Sequence, residues 1–71
     1  MASFKAKEVV SILQKLGFVQ KRQTGSHLIM YSGKLRKIIP VPMHAKDIKR
    51  GLMRSIIKEA ESTEEEFLKL K

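Results

Sequence analysis

In "KRQTGSHLIMYSGKLRK", residues 21–37, the single histidine, His27, directly follows Gly25 and Ser26. Lys21, Arg22, Lys34, Arg36 and Lys37 share the stretch, and residues 9–46 contain no acidic side chain. An imidazole takes or gives a proton near neutral pH, and nearby cations stabilise charge developing on a phosphate. RNA carries its own nucleophile, the 2′-hydroxyl, so cutting it needs a base, an acid and a cation, and no metal. His27 with Lys21, Arg22 or Lys37 beside it supplies those parts. Gly25 lets the backbone turn sharply and lets a phosphate approach with no side chain in the way. An ordinary hairpin glycine would look the same.

Other chemistries fit less well. A metal site fails on spacing: His27 and His44 stand 17 residues apart, no cysteine exists, and the nearest carboxylate in sequence is Asp47. Ser26 as a nucleophile fails on geometry, since neighbours on a strand point to opposite faces and no third residue orients the base. The bland reading is a structural His27, half-buried at the start of a strand with its ring nitrogens bonded to turn backbone. His44 follows "PVPM" at the N-terminal end of a basic helix. Capping or surface packing is its ordinary role, and contact with RNA phosphate is the alternative.

The secondary structure that holds these residues belongs to one small domain of 71 residues, near the lower limit for a self-sufficient apolar core. Without cysteine, packing or a partner must stabilise it. Apolar content of 42% is ordinary for a globular chain. Fifteen Lys and Arg face seven Asp and Glu, and five of those seven acids lie between Glu59 and Glu66. So one-sided a field points to a polyanionic partner, nucleic acid before membrane, against the plainer reading of a solvated surface. The N-terminus has no signal-like apolar run, and no segment has the length to span a bilayer. A soluble, cytoplasmic protein is expected.

Residues 3–16 place Val9, Ile12, Leu13 and Leu16 on one helical stripe, with Ser3 as N-cap and Gly17 as the C-terminal stop. "FVQKRQ", "HLIMY" and "RKIIPV" read as three strands separated by the turns "TGS" and "SGK". Pro40 and Pro42 assign the third strand to an edge or to an early end. From Ala45 a helix returns with Ile48, Leu52, Met53, Ile56, Ile57 and Ala60 as its apolar face. On that helix Lys46, Arg50, Arg54 and Lys58 form a basic ridge. Gly51 in mid-helix costs roughly 1 kcal/mol against alanine, which implies a close neighbour. Thr63 and Glu66 have capping-box spacing ahead of a short last helix. The expected fold is α+β, in the order α-β-β-β-α plus a terminal turn. Its three-stranded antiparallel sheet carries both main helices on one face, the plan of double-stranded-RNA-binding domains.

A helix ending "LGF", then "GSH", "VPMH", a basic stretch leading to "KRGLMRSIIKEA", and a closing "EEEFLKL" occur in that order. From Lys5 to Leu70 the chain thereby resembles the HicA family, small bacterial toxins that cleave mRNA and are paired with HicB antitoxins. The resemblance implies a double-stranded-RNA-binding-domain-like fold and ribosome-independent cleavage of messenger RNA. It makes His27 the catalytic histidine, with Gly25 and Ser26 as its supporting turn, and maps the family's Pro-x-His segment onto Pro42 and His44. Pro40 departs from the β-branched residue usual there, and is expected to shorten the third strand.

The resulting expectation is a metal-independent endoribonuclease toxin with no cofactor. Lys21, Arg22, Gly25, Ser26, Lys34, Arg36, Lys37, His44, Lys46, Arg50 and Arg54 would contact RNA. A HicB-like antitoxin would cover His27, its carboxylates facing Lys21, Arg22, Lys34 or Lys37. The competing reading is a non-catalytic RNA-binding module of the same fold; a third, overlapping the first, is a basic face that mainly receives an acidic protein.

Overall fold

A computed structural model describes residues 2–71, in the order α1 (Ala6–Lys15), β1 (Val19–Thr24), β2 (His27–Ser32), β3 (Lys37–Pro42), α2 (Arg50–Glu59) and α3 (Glu64–Leu70). The strands form one open antiparallel sheet, β1-β2-β3, so the expected α+β order holds and β2 is central.

The apolar stripe of α1 is buried through Val9, Ile12 and Leu13. Gly17, at φ +99°, ends the helix in the left-handed region that glycine enters without penalty. Phe18 N–H donates to Leu13 O at 2.9 Å and Gly17 N–H to Gln14 O at 3.0 Å, satisfying two of the last carbonyls. The start differs from expectation: the N-cap is Lys5, not Ser3. Phe4 explains the shift. Its backbone stays out of the helix, its carbonyl accepts Ile48 N–H at 2.9 Å, and its ring, wholly buried, meets Phe67 edge-on at 6.0 Å. Lys5 cannot accept a bond with its side chain, but the Glu8 carboxylate accepts Lys5 N–H at 2.8 Å. Ser3 instead donates its hydroxyl to Asp47 at 3.2 Å.

One sheet face turns inward. Leu28, Met30, Ile39 and Val41 share a single core with the buried faces of all three helices. Strand β1 is exposed along its whole length. Between Gln20 and Arg22 the register shifts by one residue. Pro40 lies opposite Ile29 and Pro42 opposite His27, so β3 runs its full six residues and Pro40 does not shorten it. The two prolines sit two apart on an edge strand, where a missing N–H can face away from the ladder. The second turn is longer than "SGK": it spans residues 33–36, with Arg36 at φ +55° and Leu35 N–H held by buried Ser32 Oγ at 3.1 Å.

Helix α2 begins at Arg50, five residues later than expected. Ile48 is buried as foreseen, but its N–H is bonded to Phe4 O, so the approach to the helix is an irregular crossing. Lys46 therefore stands off the ridge, which is reduced to Arg50, Arg54 and Lys58. No close neighbour explains Gly51, because a Cβ there would meet nothing within 4 Å. Leu52, read as part of the apolar face, is 41% exposed beside Ile38. Helix α3 starts as expected, with Thr63 Oγ1 accepting Glu66 N–H at 3.1 Å. The reciprocal half of that capping box is absent, since the Glu66 carboxylate accepts the Ser62 hydroxyl instead.

Candidate functional site

The site grows from a two-residue hairpin. Thr24 and His27 face each other across Gly25 and Ser26, and Gly25 has φ +57°. A positive φ at the first central residue alone is the signature of a II′ loop, whose twist matches the strands it joins. Any Cβ at Gly25 would carry the strain of a left-handed backbone, although the space beside it is open. The turn is pinned from the other side of the sheet: Met43 N–H donates to Ser26 O at 2.7 Å. Ala45 N–H closes back on Pro42 O at 3.3 Å. His44 lies inside that small turn and is carried up beside His27.

The consequence is a pair. The rings of His27 and His44 lie 6.2 Å apart between centroids, inclined at 66°. Both residues are exposed, so His27 is not the half-buried structural histidine of the plainer reading. A phosphodiester laid across the turn would touch both rings.

Cations are distributed less simply than the sequence suggested. His27, Ile29 and Tyr31 point to the open face of the sheet, away from the core side of Leu28 and Met30. Arg22 lies opposite Ile29, which puts it on that face, diagonal to His27 and within reach of a long side chain. Lys21 belongs to the bulge and holds its ammonium over the Tyr31 ring, 5.2 Å from the centroid. Strict alternation would have sent Lys21 and Arg22 to opposite faces; the bulge brings both to the open one.

Lys37 is the clearest displacement. It pairs with Ser32, at the far end of β2 from His27 by about 17 Å at the usual strand rise. Its ammonium is 3.1 Å from the Glu59 carboxylate. Lys34 and Arg36 occupy that same distant turn. Arg50 and Arg54 are exposed on α2, in the helical layer. Gly25, Ser26, His27, His44 and Arg22 thus come together, while Lys34, Arg36, Lys37, Arg50 and Arg54 do not join them.

Lys46 finds different company. It lines an open cleft of about 340 Å³ with Lys5 and Lys7 from the start of α1 and with Met43 and Ala45 from the turn carrying His44. Sequence reasoning missed Lys5 and Lys7, because nothing local says that "FKAKE" lies against "VPMHAK". Among the described residues, no three His, Asp or Glu side chains gather as a metal site would need, and no helix is long and apolar enough to cross a membrane.

Comparison with known proteins agrees with the order of motifs. The family model described as the HicA toxin of bacterial toxin–antitoxin systems matches residues 6–61, from the first residue of α1 to just past α2. No individual curated protein matches the chain. A match over most of the molecule, carrying the histidine turn, the Pro-x-His turn and α2 together, makes this chain a member of the HicA toxin family.

Proposed function

We propose that the chain is an endoribonuclease that cuts messenger RNA without a metal ion, with His27 catalytic and His44 as its partner in proton transfer. The observation that carries this reading is the meeting of the chain's only two histidines, 6.2 Å apart and exposed, beside a glycine turn. One imidazole takes the proton of the ribose 2′-hydroxyl as that oxygen attacks the adjoining phosphorus. The bond from phosphorus to the 5′-oxygen breaks, and the other imidazole gives the leaving oxygen a proton. The products are a 2′,3′-cyclic phosphate and a 5′-hydroxyl end. Arg22, diagonal to His27 on the open face, is suited to oppose the charge that builds on the phosphoryl oxygens.

This route is tested by substrate and chelator together. Cleavage is expected to survive EDTA, and an RNA with a single 2′-deoxy sugar at the scissile position should resist at that bond. Loss of activity in EDTA that a divalent ion restores would replace this route with metal-assisted hydrolysis.

Members of a toxin–antitoxin family work against a protein partner, here proposed to be HicB-like. The simplest inhibition covers the two histidines and neutralises Arg22 with carboxylates. Such complementarity speeds association, and added salt slows it. Amide hydrogen exchange should show protection at residues 24–28 and 43–45 in the complex, with α3 unchanged, since the acidic run there repels an acidic partner. Protection confined to α3 would rule this mode of inhibition out.

A further inference from the structure

We infer that the cleft between the start of α1 and the turn carrying His44 is a binding subsite for the RNA nucleotide next to the one cut; the inference rests on the ribonuclease reading. The cleft's volume, about 340 Å³, lies at the small end of the range for small-ligand pockets, roughly 300–1,000 Å³. Its lining is divided in character. Met43, Ala6 and Ala45 supply apolar wall, suited to the flat face of a base or sugar. Lys5, Lys7 and Lys46 supply three ammonium groups, which act on phosphate as mobile point charges.

One carboxylate, Glu8, also lines the cleft. It accepts Lys5 N–H at 2.8 Å and lies 3.7 Å from the Lys71 ammonium, so its charge is answered from outside the cleft. Asp47, next to Lys46, accepts the hydroxyl of Ser3. No salt bridge engages the three lysines among the described residues, and they remain exposed, open to an anion.

Position ties the cleft to the histidines. Met43, part of its wall, donates its N–H to Ser26 O, immediately before His27. His44 stands between Met43 and Ala45, both lining residues. A strand of RNA with one phosphate at the histidine pair would therefore lay its next nucleotide into this cleft. The site explains why Lys46, displaced from the α2 ridge, keeps a use.

The test measures binding apart from turnover. A fluorescent RNA oligonucleotide with 2′-O-methyl sugars, which cannot be cut by 2′-hydroxyl attack, is titrated against wild type and two variants of equal charge loss. Lys7→Gln with Lys46→Gln should bind about tenfold more weakly, with a salt slope shallower by about 0.7 for each phosphate that is no longer neutralised. Lys15→Gln with Lys69→Gln should stay within twofold of wild type. On cleavable RNA the cleft variant should raise KM and leave kcat within twofold. Affinity equal to wild type, or an equal loss in both variants, overturns the subsite. If the cleft variant weakens binding and wild type cuts no RNA, the ribonuclease reading falls, and the cleft stands only as an RNA-binding site with no scissile bond beside it. If wild type cuts RNA and the cleft variant keeps its KM, the subsite falls alone. Failure of wild type to bind RNA removes both.

Discussion

Replacing His27 with alanine is expected to lower RNA cleavage by about two to four orders of magnitude, the usual yield of a positioned acid or base. The protein should stay folded, because the side chain is exposed at the end of β2 and fills no part of the core. Toxicity on induction should vanish with it. His27→Gln should fail equally, since an amide is no proton carrier near neutral pH. His44→Ala divides the labour between the rings. An activated aryl leaving group needs no protonation, so it restores the rate of a variant that has lost its general acid and not of one that has lost its base. Purified His27→Ala cutting RNA at the wild-type rate, with an unchanged circular dichroism spectrum, would end the catalytic assignment of His27.

The second large effect concerns stability, and it lies outside the segment that matches the family. Phe67 on α3 is fully buried against Phe4, itself fully buried ahead of α1. The ends of the chain are clasped around that pair of rings. Ala2 N–H donates to the Glu64 carboxylate at 3.0 Å, the Lys71 ammonium to Ser3 O at 2.8 Å, and the Lys15 ammonium to Leu70 O at 2.8 Å. Removing a buried phenyl ring costs about 3–5 kcal/mol. Domains of this size hold roughly 4–10 kcal/mol in all. Phe67→Ala should therefore lower the melting temperature by more than about 15 °C. Leu68→Ala, at a side chain 44% exposed, should shift it far less. Equal melting of the two variants would show that α3 is a decoration on the fold and not part of its core.

Some of this molecule is local and some is not, and the division has a physical cause. Helix α1 and its stop at Gly17 follow from a 3.6-residue apolar period and one left-handed glycine, interactions that reach no further than a turn. The Gly25 hairpin and the edge placement of β3 follow likewise from what glycine and proline allow the backbone to do. His27 was legible as a chemical residue because its neighbours in sequence remain its neighbours in the turn. Three features needed the folded chain. The late start of α2 is set by Ile48 bonding to Phe4, 44 residues away, which no helical period reports. The face shared by Lys21 and Arg22 depends on a bulge, and a strand's register is decided by its partner rather than by its own alternation. The histidine pair and the lysine cleft arise because Met43 is pinned to Ser26, folding residues 43–46 between the sheet's end and α1. Propensity acts over a few residues, whereas those interactions join segments whose separation only the packed core, with Phe4 and Phe67 inside it, can close.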